Sequence, residues 1–396
     1  MLSVALVTSS FWPRVGGVEE HVRQVARDLH GRGHRVTVWA VDQGDDGPDQ
    51  IDGVRVRYLP CPMPARDAAS LARFTRDVTR AALAWRDAVR ADRPDVLHVH
   101  CFGPNGPWAA ATARRTGIPL VLTSHGETFA DANSVFDRSR LLAAALRRTV
   151  SRAIAVTGPS RFTLEDLERR FGLAAGSGIV VPNGVDLHEA GDGAATEAPA
   201  GLPGRYLLAV GRMVRVKGFD LLLEAFSRLA ADDAGLGLVL TGDGPEAAAL
   251  ARRADDLGLA DRVVLPGRLA PAGVAAAMRG AAAVVVPSRF ESFGIVVLEA
   301  WRAGVPVVAT TRGGPPEFVT DGVDGVLVDP EDVPALTRAL ARVLGDQDAA
   351  DRLGRAGARS VRDYTWGRVV DAYLELYGSA VPAATHGLVP RAADRA

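Results

Sequence analysis

Of the 46 basic residues in this 396-residue chain, 45 are arginine and one is lysine. That lysine, Lys217, stands in Gly211-Arg212-Met213-Val214-Arg215-Val216-Lys217-Gly218, directly behind an apolar run, Tyr206 to Val210, that reads as a buried strand. A compact ammonium kept where arginine is otherwise universal points to a site that a planar guanidinium does not serve. A strand that opens into a helix start, with Arg212 and Lys217 beside it, suits phosphate. The bland alternative is a single lysine that fell by chance on an exposed helix start. The second constellation is Pro287-Ser288-Arg289-Phe290-Glu291-Ser292-Phe293-Gly294-Ile295-Val296-Val297-Leu298-Glu299, which follows another buried strand and enters a helix near Gly294. Glu291 lies in the loop and Glu299 inside the helix, so both can face one cleft at different depths. The amides of Phe293, Gly294 and Ile295 would be unpaired helix-start donors, ready for an anion. The bland account makes Glu291 an acid favoured by the helix dipole and Glu299 a solvated one. Against it, Glu299 sits among Val297, Leu298, Ala300 and Trp301, where an unpaired carboxylate is costly.

A Glu, seven residues and a second Glu, with Phe-Gly after the first, resembles the retaining glycosyltransferases of family 4, which have the GT-B fold. Gly-Arg-x-x-x-x-Lys-Gly around Lys217 matches the same family. So do Val181-Pro182-Asn183-Gly184-Val185-Asp186, Gly242-Asp243-Gly244-Pro245-Glu246 and Gly313-Gly314-Pro315-Pro316-Glu317, with Gly16-Gly17 in the first loop and Ser124-His125-Gly126 after a strand. Each motif is weak alone; in this order, across residues 4 to about 330, they are specific.

The resemblance implies transfer of a hexosyl-type sugar from a nucleotide-diphosphate donor to an acceptor hydroxyl, with retained configuration. A UDP-sugar is the preferred donor and GDP-mannose the alternative; the acceptor is a small molecule, a glycan or a lipid-linked group. By the same resemblance, Arg212 and Lys217 grip the departing diphosphate in place of a divalent metal, so no metal and no cofactor beyond the sugar nucleotide is expected. Fixed cations there stabilise the transition state more than the ground state. Glu299 matches the ribose-binding glutamate and Glu291 the one beside the donor sugar. His125 matches the histidine near the reacting carbon. Gly16, Gly17, Asn183, Gly211, Gly242, Gly244, Arg268, Phe293, Gly294 and Ile295 complete the implied donor site, and His100, Asn105 and His125 an acceptor site. Acceptor contacts are expected from the loops Phe102–Trp108 and Phe129–Phe136. Two rivals remain at this point: a sugar-nucleotide epimerase on the same fold, and a non-catalytic nucleotide- or carbohydrate-binding homologue.

Short Val/Leu/Ile runs alternate with helical patterns, as in parallel sheets covered by helices on both faces. The strands read Val4–Thr8, Arg35–Ala40, Val54–Tyr58, Val96–Val99, Leu120–Thr123, Ala153–Val156 and Ile179–Val181, and then a second series begins at Tyr206–Val210. The reading is α/β: two doubly wound Rossmann-like domains facing a cleft, where ligands of such sheets bind. Residues 1–188 form an acceptor domain, 189–204 a Gly/Ala/Pro-rich linker and 205–364 a nucleotide-sugar domain. A helix at 365–378 crosses back to the first domain, and a patternless tail, expected to be disordered, covers 379–396.

A formal net charge of −1 gives no field that would draw in nucleic acid. Two cysteines, Cys61 and Cys101, offer neither a disulfide framework nor metal spacing, and the amino terminus lacks the apolar segment of a signal peptide. The expected location is therefore the cytoplasm. Five arginines and no acid between Arg138 and Arg152, and six arginines around the apolar stripe Leu71, Phe74, Val78, Trp85 and Val89, could also meet the inner face of a membrane. His98 and His100 alternate on one strand and point the same way; with no third ligand at suitable spacing, acceptor contact is favoured over metal. Asp346-Gln347-Asp348 reads as a solvated helix cap.

Overall fold

The computed structural model describes residues 1–11, 14, 16–44, 47–64, 68–129, 135–187 and 199–380. Most of the linker, the tail beyond 380 and the middle of the Phe129–Phe136 loop lie outside the described residues. The first domain runs β1 (Ser3–Thr8), α1 (Gly17–Gly31), β2 (Arg35–Val41), β3 (Gln50–Ile51), β4 (Val54–Leu59), α2 (Ala68–Asp92), β5 (Val96–His100) and α3 (Asn105–Thr116). It continues with β6 (Leu120–Thr123), α4 (Val135–Arg138), α5 (Arg140–Val150), β7 (Ala155–Gly158), α6 (Arg161–Phe171) and β8 (Ile179–Val180). The second domain runs β9 (Arg205–Val210), α7 (Phe219–Asp232), β10 (Leu236–Thr241), α8 (Ala247–Asp256), β11 (Val263–Gly267), α9 (Pro271–Gly280) and β12 (Ala283–Val286). It closes with α10 (Ile295–Arg302), β13 (Val307–Thr310), β14 (Val326–Val328), α11 (Val333–Gly345) and α12 (Gln347–Ser360), after which comes α13 (Trp366–Ala380).

The first sheet has the order β3-β4-β2-β1-β5-β6-β7-β8, parallel throughout except for the β3–β4 edge hairpin, and the second the order β11-β10-β9-β12-β13-β14, parallel throughout. Both faces of each sheet are covered by helices, which is why the strands are unbroken apolar runs rather than alternating ones. In each sheet the strand order reverses once near the middle, between β1 and β5 and between β9 and β12. Chain segments leave those adjacent strand ends in opposite directions and open a crevice, the place where such sheets take ligands.

Helix α13 leaves the second domain and packs on the first, burying Trp366, Val369, Val370, Tyr373 and Tyr377 against Val4, Leu6, Val22 and Val25. The two crossing segments run side by side at Val185 and Thr365, with the Val185 amide donating to the Tyr364 carbonyl at 2.9 Å. They touch so closely that a Cβ on Gly184 would lie 2.5 Å from the Trp366 nitrogen, so only glycine fits.

Three local readings need correction. Helix α13 continues through Ser379 and Ala380: Gly378, directly after Tyr377, does not take the left-handed conformation that would end it. The strand read at Ala153–Val156 starts at Ala155, since Ile154 is still outside the sheet and 48% exposed. Helix α2 packs only through its carboxyl half, at Ala81, Trp85 and Ala88, and leaves Leu71 51% exposed. Asp346 caps α12, accepting from the Ala349 amide, as its sequence suggested.

Candidate active site

On the second domain the site is built at the ends of β9, β10 and β12. The chain after β9 makes a 3-10 turn, Arg215–Lys217, which aims the Lys217 ammonium at the loop after β12. There Lys217 Nζ donates to Glu291 Oε2 at 2.6 Å, and Ser288 Oγ donates to the same oxygen at 2.9 Å. Glu291 is buried, and Oε1 has no partner among the described residues. Arg212, at the end of β9, is exposed and makes no ion pair among the described residues, so its guanidinium is free for a ligand. Gly242 and Gly244 lie flat against Gly211 and Met213: a Cβ on Gly242 would overlap the Gly211 carbonyl, and both take positive φ, 135° and 151°. Their glycine identity thus serves the packing of one site loop on another. Arg268 is exposed just beyond Gly267, whose carbonyl accepts from the Gly242 amide at 2.9 Å.

Helix α10 starts from Gly294 at φ 104°, and the amides of Phe293, Gly294 and Ile295 have no acceptor among the described residues. Opposite it stands the start of α1, close enough that a Cβ on Gly17 would lie 3.8 Å from Ile295 Cδ1, with Gly16 as the preceding cap. The starts of α1 and α10 therefore lie together, and open helix-start amides favour an anion, with Glu19 setting a carboxylate oxygen beside Gly16 at the α1 end. Glu299 is half-buried one turn into α10.

The first domain contributes a layer of histidines under α13. His98 bonds Tyr377 (2.6 Å) and Thr123 (2.7 Å), while His21, on α1, bonds Asn183 (2.8 Å) and Tyr373 (3.1 Å). His100 Nδ1 lies 3.2 Å from His125 Nε2. Burial in this layer lowers the pKa of His21 to about 4 and holds His98, His100 and His125 well below the ordinary imidazole range, so all four are neutral. His21, His100 and His125 place a ring nitrogen each within 4.8 Å of one another. Ligands at bonds of about 2.1 Å around one tetrahedral ion stand only about 3.4 Å apart, and both nitrogens of His21 are already bonded. The set is better suited to hydrogen bonding than to a metal.

The structure redistributes several expected roles. Asn105 is buried and binds backbone only, accepting from the Gly103 amide and donating toward the carbonyls of Val7, His100 and Cys101, so it shapes a loop and presents nothing to an acceptor. His98 and His100 are fully buried, which removes both from direct acceptor contact. Asn183 holds His21. Other residues also shape the site: Glu127 and Ser160 lie outside the motifs, and Glu317 closes one of them in a role its spacing does not reveal. Glu127 ties down the His125 loop, accepting from the amides of Phe102 (2.9 Å) and His125 (2.7 Å). Glu317 caps α6 across the cleft, accepting from the amides of Arg161 (2.6 Å) and Phe162 (2.8 Å). Ser160 Oγ donates to the Ser292 carbonyl at 2.5 Å, and a Cβ on Gly126 would lie 2.7 Å from Ser292 Cβ. The two lobes therefore touch at the Glu291 loop. A cap-type serine at 160 and the two acids were the available signals.

Residues 198–360 match the family model for glycosyl transferases group 1, and residues 15–189 that for glycosyltransferase family 4. The chain is 33% identical over 389 residues to the D-inositol 3-phosphate glycosyltransferase of Nocardiopsis dassonvillei, covering 91% of this chain and 89% of that one. The chain belongs to the group 1 glycosyltransferases. Among solved structures it is similar to sucrose-phosphate synthase from Thermosynechococcus elongatus, with TM-score 0.76, 23% identity and coverage of 94% and 98%. It is also similar to HepE from Anabaena in complex with UDP and glucose, with TM-score 0.74, 20% identity and coverage of 95% and 99%. The fold of this glycosyltransferase is thus GT-B.

The two cations of the site differ in what they support. Arg212→Ala is expected to lower turnover on the order of a hundredfold with no change in melting temperature. Lys217→Ala is expected to lose turnover and also roughly 3 kcal/mol of stability, the low end for stranding a buried carboxylate, because Lys217 is 28% exposed. Denaturation of both variants beside an activity assay separates the two effects. For acid, the sign follows from the lowered histidine values. Above pH 6.5 His21 is neutral in both states; between 6.5 and about 4 only the unfolded chain binds its proton. Stability therefore falls as pH drops through that window, by about 1.4 kcal/mol per pH unit for each such histidine. The melting temperature should fall steeply from pH 6.5 to 5, and a flat profile would contradict the neutral layer.

Proposed function

We propose that this enzyme transfers a hexosyl-type sugar from a nucleoside diphosphate, UDP by preference, to an acceptor hydroxyl with retained anomeric configuration and without a metal. The observation that carries the reading is the set of open amides at the start of α10, facing the start of α1, next to a loop pinned by Lys217–Glu291 whose other cation, Arg212, is exposed and unpaired among the described residues. As the glycosidic bond breaks, its electron pair leaves with the diphosphate, and charge grows where these donors already point. Glu291, held by Lys217 and Ser288 through one oxygen, offers the other to a sugar hydroxyl. Its ion pair draws charge from the carboxylate, which favours an orienting role over that of a displacement nucleophile. The incoming hydroxyl then attacks from the face the diphosphate leaves, and the leaving phosphate oxygen takes its proton. His125 stands beside Gly126, across the gap from Ser292, and we assign it to contact with the sugar near the reacting carbon. The lobes meeting at Ser160, Ser292 and Glu317 would exclude water once the donor is in place.

The relatives named as inositol 3-phosphate glycosyltransferases make a phosphorylated polyol the first acceptor to try. No described helix is long and apolar enough to cross a membrane. A peripheral contact is supported by a groove of about 580 Å³ between α3 and α5, floored by Ala110, Ile118 and Ala145 and rimmed by Arg114, Arg148 and Arg152. Those three arginines make no ion pair among the described residues, and Leu141 and Ile154 at its edge are about half exposed. Anionic headgroups with apolar chains below them fit this pattern.

Incubation with UDP- and GDP-sugars and inositol phosphate acceptors should give an α-linked product from an α-linked donor by NMR, at a rate unchanged by EDTA. Inverted product, or activity lost in EDTA and restored by a divalent ion, would sink the mechanism. Sedimentation with phosphatidylglycerol vesicles at low salt should be lost in the double variant Arg148→Glu, Arg152→Glu. No sedimentation of the native enzyme would remove the membrane contact.

A further inference from the structure

His125 is half-buried, its Nδ1 has no partner among the described residues, and its Nε2 meets His100 Nδ1 at 3.2 Å. One of those two facing nitrogens carries the proton. The remaining nitrogen of His100, Nε2, is enclosed and unpartnered. Either direction of the shared bond leaves that nitrogen without a partner, but what is orphaned differs. If His125 donates, the single proton of neutral His100 sits on Nε2 as a buried N–H with no acceptor. If His100 donates, Nε2 keeps only a bare lone pair. Buried N–H groups without acceptors are rarer than under-satisfied acceptors. Protons on the neighbouring ring are ordered by the same accounting. Asn183 Oδ1 can only accept, so His21 Nδ1 donates to it and His21 Nε2 accepts from the Tyr373 hydroxyl.

We infer that His100 donates its Nδ1–H to His125 Nε2, and so fixes the His125 proton on Nδ1, where His125 acts as a hydrogen-bond donor into the cleft and not as a base. This rests on the reading of His125 as a substrate contact. His100 touches no substrate. It is a positioning residue that sets the tautomer of the residue that does, in the way a partner on one ring nitrogen decides what the other can do. The substrate atom opposite His125 Nδ1 is then an acceptor, such as a sugar hydroxyl oxygen or the ring oxygen. General-base chemistry at that nitrogen is excluded.

Two substitutions separate the proton from the packing. His100→Asn keeps an amide N–H where Nδ1–H stands, and His100→Leu keeps bulk without a donor. In ligand-free protein with ¹⁵N-labelled histidine, NMR should find His125 protonated at Nδ1 in the native enzyme and in His100→Asn, and a mixture of tautomers in His100→Leu. Turnover should fall roughly ten- to hundredfold in His100→Leu, mostly in kcat with donor KM little changed, and recover most of that in His100→Asn. A native His125 protonated at Nε2 would overturn the inference. So would folded His100→Leu with native kcat, or equal losses in the two variants. Full activity in His125→Ala would overturn the substrate contact, and the positioning role with it. The ligand-free spectrum tells that failure apart from a misplaced proton.

Discussion

The Lys217–Glu291 ion pair is the constraint around which the second domain's ligand edge is arranged. It joins the loops after β9 and β12, the two strands between which the order of the sheet reverses. Segments that depart in opposite directions from adjacent strands need ties of their own. The Arg289 amide donates to the Val216 carbonyl at 2.8 Å and the Arg289 guanidinium pairs with Asp220 at the outer side, while the Lys217–Glu291 bridge, with Ser288 on the same carboxylate oxygen, ties the loops on the ligand side. The cost is a mostly buried carboxylate that depends on its partner. The benefit is that Glu291 enters the cleft with one oxygen constrained and the other free, while Arg212, on the same loop as Lys217, keeps an unpaired guanidinium among the described residues.

The first domain solves a different problem. Its strand ends carry His98, His100 and Thr123, polar groups that α13 covers when it returns from the second domain. Tyr373 and Tyr377 bring an apolar body and a hydroxyl, so the same helix that seals the layer also satisfies His21 and His98. Neutral rings are the only form that burial of this depth permits. That makes the layer a fixed set of donors and acceptors, suited to setting the direction of one bond at its edge, at His125.

Closure across the cleft uses backbone as much as side chains. Ser160, which caps α6, also donates to the Ser292 carbonyl, and Glu317 satisfies the first amides of the same helix from the opposite lobe. The amino terminus of α6 is thus completed by residues of both domains, and the Glu291 loop is what they share. Movement of the lobes would have to break these contacts and to open the donor gap in the same motion.

Much of the architecture was legible in the chain alone. Unbroken Val/Leu/Ile runs fixed the strands to within a residue or two in most cases, because a parallel sheet buried on both faces leaves no other use for them. A single lysine and the Glu291/Glu299 spacing marked the anion edge, because strand-end loops and helix starts expose backbone donors in known places. Direction and partnership were not legible. Lys217 bonding Glu291, Asn105 turned wholly onto backbone as far away as Val7, His98 and His100 closed off under Tyr377, and Glu317 reaching the other lobe all depend on contacts between residues 74 to 279 positions apart. Sequence spacing sets which residue types are available at a strand end. Only the packed structure decides which of them is sealed from water, and with which partner, since burial is a property of what the rest of the chain lays over that strand.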